Sequence, residues 1–295
     1  MTKHLEKPPA RAVFPGTEKT MDYSNTVLFS DLDGTLFNSD GEISAEDLAA
    51  IGEYEAAGGR FAVSTGRQPD NAMWYLRRDF TNAPSVVLNG SAVYDYAAGE
   101  YLYKVTIPRA GLDGTLEAIL REIPEADVQI YTMAGIVYIT PEETANRPFM
   151  SLHRPCSFST LEAQAGEDIF KCMLFAPHER DDDLLALLAP GRDRDFRVVP
   201  GTTDVGGVIT YYELLPAEAS KGAAIDFLRT YPPLRGRTFI AAGDYWNDYE
   251  MLLAADVAVA PENADEGIKK ICRYVTASNN DHAIAHIIRD IIPAL

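Results

Sequence analysis

Short apolar runs alternate with amphipathic segments along much of the chain. Apolar runs at positions 27–29, 61–63, 85–88 and 239–242 have the length and composition of buried strands. After the first run, Ser44 and an acid three residues later predict a helix N-terminus, and apolar positions at helical spacing follow it. This order of strands and helices is typical of a parallel α/β sheet with right-handed crossover connections.

The pattern changes between about residue 97 and residue 201. The elements predicted there are three strands and two amphipathic helices, at 101–107, 127–140, 169–176, 112–122 and 182–188. This mixture indicates an α+β unit inserted into the first unit, and a strand predicted at 209–215 leads back. The predicted division is a loosely held tail of residues 1–21, a core of 22–96 and 202–295, and an insert of 97–201.

Composition narrows the classes of partner. The 295 residues carry a formal net charge of -18, which argues against a nucleic-acid or anionic-membrane surface. We see no apolar run near the roughly 18 residues that cross a bilayer and no signal-peptide core in the first 20 residues. Three widely spaced cysteines indicate a reducing, cytoplasmic setting. No protein partner is evident, and an anionic substrate needs a local cationic site.

Two carboxylates end the first apolar run. Asp31 and Asp33 stand in the sequence Asp-Leu-Asp-Gly-Thr. Alternate residues of an extended chain point the same way, so both are predicted on one face at the strand's carboxyl end. Two like charges this close are costly unless a cation joins them or one carries a proton. The simpler alternative is a solvated turn, since Asp and Gly favour turns.

This stretch resembles the first motif of the haloacid dehalogenase-like phosphotransferase superfamily. The resemblance implies that Asp31 attacks phosphorus to form an aspartyl-phosphate, and that Asp33 serves as general acid and then as general base. Two carboxylates repel a phosphate dianion, so such a site also needs Mg²⁺, which takes oxygen ligands. The rest of the chain must then supply further carboxylates, a cation for the phosphate, and hydroxyl or amide donors.

Three later segments resemble the remaining motifs. Thr65, followed by Gly66, is similar to the second motif, whose hydroxyl binds the transferring phosphoryl group. Lys221 is similar to the third, whose ammonium neutralises that group. Residues 243–252 match Gly-Asp-x-x-Asn-Asp-x-x-Met-Leu, the fourth motif of the Cof-type large-cap phosphatases of subfamily IIB. Taken singly, these residues are also explained by a strand-to-helix turn, a surface lysine and an acidic helix N-terminus.

The resemblance implies a role for each matched residue. Asp244 would bind Mg²⁺ beside a side-chain oxygen of Asp31 and the backbone carbonyl of Asp33. Asp248 would hold metal-bound water or orient Lys221. The implied catalytic residues are Asp31, Asp33, Thr65 and Lys221. The implied metal-binding residues are Asp31, Asp33, Asp244 and Asp248. The implied phosphate-binding residues are Leu32, Thr65, Gly66, Lys221 and Asn247.

Substrate contacts are predicted less directly. Arg67 and Asn89 are the predicted substrate residues, and Asn89 begins an Asn-Gly pair that the family also has after its third strand. Tyr131 and Arg147 are further candidates from polarity and position. The chain departs from the family at Glu262, where glycine is usual, and near His282, where a Gly-Val pair is usual, so the geometry of those two loops is in question.

The resemblance also implies a fold and an activity. The fold is a Rossmann-like parallel-sheet core with an inserted α+β cap between the second and third motifs. The activity is Mg²⁺-dependent hydrolysis of small phosphate monoesters, sugar phosphates or related metabolites, through an aspartyl-phosphate on Asp31. Two alternatives stay open: a phosphomutase of the phosphomannomutase type, and a metabolite-binding protein that kept the fold without the chemistry.

Overall fold

The computed structural model describes residues 21–76, 80–140, 156–201 and 209–295. Its strands, in chain order, are β1 (Thr26–Ser30), β2 (Arg60–Val63), β3 (Ser85–Val87), β4 (Ala92–Asp95), β5 (Glu100–Lys104), β6 (Asp127–Thr132), β7 (Gly135–Tyr138), β8 (Cys156–Phe158), β9 (Lys171–Pro177), β10 (Phe196–Pro200), β11 (Ile209–Pro216), β12 (Thr238–Ala242), β13 (Val257–Ala260) and β14 (Tyr274–Val275). Its α-helices are α1 (Ala45–Ala56), α2 (Pro69–Tyr75), α3 (Arg109–Glu122), α4 (Asp181–Leu188), α5 (Lys221–Thr230), α6 (Tyr249–Ala254), α7 (Glu266–Ile271) and α8 (Ala283–His286). Within these ranges we find no helix with both the length and the apolarity to cross a membrane.

Five parallel strands form the central sheet, in the order β14-β13-β12-β1-β2. Ser30, the last residue of β1, pairs with Ala242 of β12 and with Val63 of β2. A bridge between Ser64 and Val86 continues towards a smaller antiparallel sheet of β3, β4 and β5. The prediction of a parallel α/β core is confirmed. Because β1, β2 and β12 end at one level, the polar residues that follow them come together at one edge.

Helices cover both faces of the central sheet, and strand residues alternate between two apolar layers. Leu28 belongs to the layer that contains Ile51 of α1. Val27 and Phe29 belong to the opposite layer, which contains Ile225 of α5. Since successive side chains of a strand point to opposite faces, a strand buried on both sides is apolar at every position. This explains the continuous apolar run that precedes the two carboxylates.

The second sheet has six strands in the order β10-β11-β9-β6-β7-β8, antiparallel except for its last pair. Helices α3 and α4 pack on one face, where Leu116 and Leu184 join Cys172 and Leu174 of β9 in a buried apolar cluster. Residues 127–140, predicted as one strand, form the antiparallel hairpin of β6 and β7. The face away from the helices is turned towards the core, and it forms part of the site described below.

Strand pairing bears on where the insert begins and ends. Strand β11 pairs with β9 and β10 of the second sheet, whereas β5 pairs with β4 beside the core. Further along, the amide of Ile107 donates to the carbonyl of Ile169 inside the second unit. We therefore propose that the insert runs from about residue 105 to about residue 216, later at both ends than the sequence pattern suggested.

The C-terminal segment, from residue 283 onwards, is not one regular helix. It begins as α8 and widens into a π-helical turn at Ile287–Ile291. Pro293 has no N–H, so the regular hydrogen-bond ladder cannot continue through it. His282, just before α8, has a φ of 63°, in the left-handed region that glycine adopts most easily. The histidine therefore occupies a conformation that suits the glycine usual in the family.

Candidate active site

The first site loop leaves the sheet at the end of β1. The amide of Asp31 donates to the carbonyl of Ala242 at 2.9 Å, which extends the pairing of β1 with β12. Gly34 then has a φ of 86°, and a Cβ there would lie 2.5 Å from Oδ2 of Asp244. The loop therefore turns closely against Asp244, and the hydroxyl of Thr35 donates to Oδ1 of Asp244 at 3.1 Å. Sequence reasoning had given Thr35 no such role.

Lys221 is the first residue of α5, and its side chain is buried. Ser220 caps this helix by accepting a hydrogen bond from the amide of Ala223 at 3.0 Å. The Nζ of Lys221 donates to Oδ1 of Asp31 at 2.6 Å and to Oδ1 of Asp248 at 2.5 Å. A buried ammonium at a helix N-terminus is disfavoured by lost hydration and by the helix dipole, so the two carboxylates are needed to hold it. The alternative of a surface lysine is excluded.

Asp248 organises the loop that follows β12. Its Oδ2 accepts hydrogen bonds from the amides of Asp244 and Tyr245, at 3.0 and 3.3 Å, while its Oδ1 accepts from Lys221. A Cβ on Gly243 would lie 2.5 Å from the Cβ of Asp248, so the close approach of this loop requires glycine. Both oxygens of Asp248 are therefore occupied, and the residue serves to fix Lys221 and the backbone beside Asp244.

Burial controls the ionisation of this cluster. It raises the pKa of Asp31 well above its usual range, against the opposing effect of Lys221. Burial also raises the pKa of Asp244 to about 6, with a further contribution from the charge of Asp248. For Lys221, burial acts to lower the pKa, but the carboxylates of Asp248 and Asp31 outweigh it and raise the pKa above its ordinary value. The ammonium is therefore kept, and one positive charge faces three acids.

The same three acids fit a metal ion. Asp31, Asp244 and Asp248 each place a carboxylate oxygen within 4.8 Å of the others, the one such group of acids in the ranges that the structure describes. Three carboxylates against one ammonium leave net negative charge in a buried place, which a divalent cation would neutralise. Because Asp248 already accepts three hydrogen bonds, Asp31 and Asp244 are better placed as direct ligands of a hard cation such as Mg²⁺.

Thr65 and Gly66 follow β2 and lie beside a left-handed turn. Leu88, Asn89 and Gly90 have φ values of 55°, 54° and 91°. Asparagine tolerates this region of φ better than most residues do. The backbone N–H of Asn89 donates to the carbonyl of Thr65 at 3.0 Å. A Cβ on Gly66 would lie 2.9 Å from the side-chain amide atoms of Asn89. The Thr65 loop and the turn are therefore in close contact.

Gly90 holds this turn against the start of α5. A Cβ there would lie 2.0 Å from the carbonyl oxygen of Ser220, so the position accepts only glycine. Because Ser220 immediately precedes Lys221, the contact fixes where the Thr65 loop stands relative to the buried ammonium.

Asp33 and Arg67 form an ion pair at the edge of the site. Nε and Nη2 of Arg67 donate to the two carboxylate oxygens of Asp33, at 2.9 and 2.5 Å. The side chain of Asp33 is 61% exposed, whereas that of Asp31 is buried. Arg67 was predicted to contact substrate, and in the structure its guanidinium contacts Asp33 and lies over the ring of Phe37. The two acids of the first motif thus have different surroundings.

A single cavity of about 1020 Å³ joins these residues. Most predicted site residues line it, namely Asp31, Asp33, Thr65, Gly66, Arg67, Asn89, Lys221, Asp244 and Asn247. Two do not: the side chain of Leu32 packs in the core, so only its backbone can serve a ligand, and Asp248 is buried beside Lys221. Tyr131 also lines the cavity, and Arg147 lies outside the described residues.

The second sheet supplies the opposite wall, which sequence reasoning largely missed. Lys171 of β9 and Glu213 of β11 line the cavity, together with alternate residues of the neighbouring strands. The sequence signal was weak: in β6, Gln129 and Tyr131 alternate with apolar residues, whereas β9 and β11 each carry one charged residue on this face, Lys171 and Glu213. That alternation marks one face of a sheet but does not say what the face meets.

Comparison with known proteins extends over nearly the whole chain. A family model described as haloacid dehalogenase-like hydrolase matches residues 28–288. Phosphatase YwpJ of Bacillus subtilis is 26% identical, over 89% of this chain and 98% of its own length. The 5-amino-6-(5-phospho-D-ribitylamino)uracil phosphatase YitU of the same organism is 24% identical, over 88% and 95%. A crystal structure of the protein TM0651 from Thermotoga maritima superposes with a TM-score of 0.76 at 26% identity, over 89% of this chain and 96% of that one.

The matched residues include all four motifs and the inserted unit between them. The similarity is therefore not confined to the short loops around Asp31 and Asp244. It covers the parallel core, the second sheet and the order in which they occur, as the motif resemblance had implied. This chain belongs to the haloacid dehalogenase-like hydrolases.

Proposed function

We propose that this chain, a phosphatase of its family, hydrolyses small phosphate monoesters with the help of Mg²⁺ and through an aspartyl-phosphate on Asp31. The observation that carries the proposal is the contact of buried Lys221 with Asp31 and Asp248, next to Asp244, in a cavity of substrate size. Sugar phosphates and related metabolites are the proposed substrates. The relative YitU, whose name includes a phosphoribityl group, supports this class.

The proposed metal ligands are carboxylate oxygens of Asp31 and Asp244 and the backbone carbonyl of Asp33. When bound, Mg²⁺ neutralises the carboxylates and polarises a phosphoryl oxygen. Asp248 would act indirectly, since its oxygens already accept from Lys221 and from two backbone amides. The excess of acids over ammonium groups described above is what supports this assignment.

In the first half-reaction, a carboxylate oxygen of Asp31 attacks phosphorus while the bond from phosphorus to the ester oxygen breaks. Asp33 gives a proton to the departing oxygen, so the leaving group departs as an alcohol. Asp33 is held by Arg67 in the structure, and this step requires that contact to open. Lys221 orients Asp31 and compensates negative charge on the phosphoryl oxygens.

In the second half-reaction, water attacks the phosphorus of the aspartyl-phosphate, and Asp33, now a carboxylate, takes a proton from that water. The bond between phosphorus and the Asp31 oxygen breaks, which releases inorganic phosphate and restores the carboxylate. Donors fixed around the phosphoryl group keep it in line during both steps. The proposed donors are the Thr65 hydroxyl, the amides of Leu32 and Gly66, and the side-chain amide of Asn247.

Phosphate release from p-nitrophenyl phosphate and from a panel of sugar phosphates, with Mg²⁺ or with EDTA, tests this proposal. Asp31→Asn keeps the shape of the side chain but removes the nucleophile, and activity should fall by at least about 1000-fold. Asp22→Asn, at an exposed acid outside the cavity, is the matched control and should retain activity. Full activity in Asp31→Asn would rule out the covalent mechanism, and activity undiminished by EDTA would rule out the metal.

A further inference from the structure

A second polar cluster lies in the cavity, outside the four motifs. Lys171 is buried although it stands on a strand of the insert, and its Nζ donates to Oε1 of Glu213 at 3.0 Å. The same Nζ donates to the carbonyl of Gly66 at 3.2 Å and lies 4.8 Å from the centre of the Tyr131 ring. The pair therefore touches the phosphate-side loop without belonging to any motif.

Strand register places this pair on the wall of the cavity. Met173 of β9 is opposite Glu213 of β11, so Lys171 and Glu213 are diagonal neighbours on the same face. On the other side of β9, Gln129 and Tyr131 of β6 are opposite Met173 and Lys171. All five side chains line the cavity, on the face turned away from the helices of the insert.

Asn89 connects this wall to the core. Its Nδ2 donates to Oε2 of Glu213 at 2.7 Å. Because a carboxylate only accepts hydrogen bonds, the amide nitrogen must face Glu213, and Oδ1 of Asn89 then has no hydrogen-bond partner among the residues that the structure describes. The residue is only 9% exposed. Oδ1 is enclosed too tightly for a ligand to reach, so Asn89 acts by holding Glu213 at the wall of the cavity.

In the part of the chain that the structure describes, the cations that line the cavity are already paired with acids. Among the described lining residues, each lysine and arginine has a carboxylate partner, in the pairs Lys221–Asp31, Arg67–Asp33, Lys171–Glu213 and Arg197–Glu250. A second phosphate or a carboxylate on the leaving group, beside Lys171 or Arg197, would have to displace the acid partner of that cation or remain uncompensated. Such an unpaired charge discriminates against the wrong ligand. Neutral hydroxyls, in contrast, can use the donors and acceptors of a pair without breaking it.

We propose that Lys171 and Glu213, with Glu213 held in place by Asn89, bind hydroxyl groups of the leaving group and thereby select monophosphorylated polyols over substrates with a second anionic group. Nζ of Lys171 donates to a hydroxyl oxygen, while Glu213 accepts from a hydroxyl hydrogen. The ring of Tyr131 offers an apolar face to the C–H groups of the same ligand. The inference deepens the proposed function and rests on it.

Substitution of the pair, assayed on substrates that differ only in the leaving group, tests the assignment. In Lys171→Met and in Glu213→Gln, kcat/KM for ribitol 5-phosphate or glucose 6-phosphate should fall about 10- to 100-fold, the effect of losing a hydrogen bond to a charged group. For p-nitrophenyl phosphate, whose leaving group has no hydroxyl for this cluster, kcat/KM should fall by a clearly smaller factor in each variant, so the ratio of the two losses is the readout. Lys104→Met, at an exposed lysine outside the cavity, should alter neither.

A charge-neutral double variant covers the case in which a single variant fails to fold. Lys171→Met combined with Glu213→Gln leaves no unpaired charge, and its thermal unfolding would verify the fold. The same selective loss on polyol phosphates is expected from it. Equal losses on both kinds of substrate, or wild-type enzyme that turns over glucose 1,6-bisphosphate better than glucose 6-phosphate, would overturn the assignment. Failure of the covalent mechanism is separate, because it would appear in Asp31→Asn on every substrate.

Discussion

The two walls of the cavity are built in different ways. On the core wall, side chains come from loops that follow parallel strands, so each contribution is a short contiguous segment such as the one from Asp31 to Thr35. On the insert wall, side chains come from alternate positions within strands, and neighbours such as Lys171 and Glu213 meet only through sheet pairing. The first arrangement leaves a motif in the sequence. The second leaves only a period-two pattern.

The two walls also differ in which residues their folding requires. The core loops need glycine at close approaches, as at Gly34 and Gly90, and a buried lysine between acids. The insert face needs the alternation of a sheet that is covered on its other side, and it carries one buried ion pair, Lys171–Glu213. A change in the core wall should therefore disturb catalysis and folding together, while a change at an uncharged position of the insert face, such as Met173, should alter substrate choice and leave folding nearly intact.

Lys221→Met should give the largest effect. Activity should fall at least about 1000-fold, because the ammonium that orients Asp31 is lost. The free energy of unfolding should fall by about 3–5 kcal/mol, since Asp31 and Asp248 would remain buried without their partner. Urea unfolding without metal measures the second effect. Lys270→Met, at an exposed lysine, is the control. If the variant were inactive but as stable as wild type, the idea that the core wall serves catalysis and folding together would be wrong.

Gly90→Ala tests the close approach of the turn to α5. Both Gly90 and Gly99 have positive φ, but only Gly90 faces a backbone atom at 2.0 Å. We expect Gly99→Ala to cost about 1–2 kcal/mol for backbone strain alone, and Gly90→Ala about 2–5 kcal/mol once overpacking is added. Denaturant unfolding of the two variants gives the comparison. Equal losses would show that the contact with Ser220 is not what demands glycine at position 90.

Leu174→Ala and Met173→Ala compare the two faces of β9. Leu174 lies in the apolar cluster under the helices, and its loss should cost about 2–5 kcal/mol without changing the ranking of substrates. Met173 lines the cavity, so its truncation should cost less than about 1 kcal/mol and change KM values. Unfolding curves measure the loss of stability, and the substrate panel measures the change in KM. A larger stability loss in Met173→Ala, or a changed substrate ranking in Leu174→Ala, would show that the two faces of β9 do not separate packing from substrate binding.

The smallest effect concerns pH and the metal. The pKa of Asp244 is raised from 3.8 to about 6 in the metal-free protein. The folded state therefore holds this proton more tightly than the unfolded state, and metal-free stability should decline as pH rises from about 4 to about 6. Above that window the carboxylate is free for Mg²⁺. At ten times its Kd, Mg²⁺ should raise Tm by about 3–6 °C at pH 7.5, and by less than about half of that at pH 5.

Asp244→Asn is the control for the metal experiment. This variant removes the titrating group and a proposed ligand while keeping an oxygen that can accept from the Thr35 hydroxyl. Its Tm should respond little to Mg²⁺ at either pH. An unchanged Mg²⁺ response in the variant, or equal responses of the wild type at both pH values, would place the ion elsewhere.

Much of the core could be predicted from the sequence. The α/β order followed from apolar runs and helix signals, and Asp31 and Thr65 follow two of those runs, at the carboxyl ends of β1 and β2. That reasoning works because parallel strands fix the relative positions of the loops that follow them. The family resemblance then added roles for Lys221 and Asp244, which the pattern alone could not distinguish from a surface lysine and a helix N-terminus.

Other features depend on distances that no pattern records. Arg67 was predicted for substrate, but its pairing with Asp33 follows from the spatial arrangement of two loops. Strand β11 is apolar enough to fit either sheet, so its membership depends on which neighbours pair with it. His282 adopts a positive φ that residue type alone would not suggest. Each case depends on tertiary contacts that override local preference.

Strand β11 runs from the insert wall directly into the core wall. Glu213 lies on this strand, and after Pro216 only a short segment leads to Ser220 and Lys221. A chimera that borrows the insert of a relative must therefore place its second crossover between Leu215 and Ser220. An earlier crossover would separate Glu213 from Lys171, and a later one would replace Lys221. Natural recombination that exchanges the insert between two members of this family would need its second crossover in the same short segment.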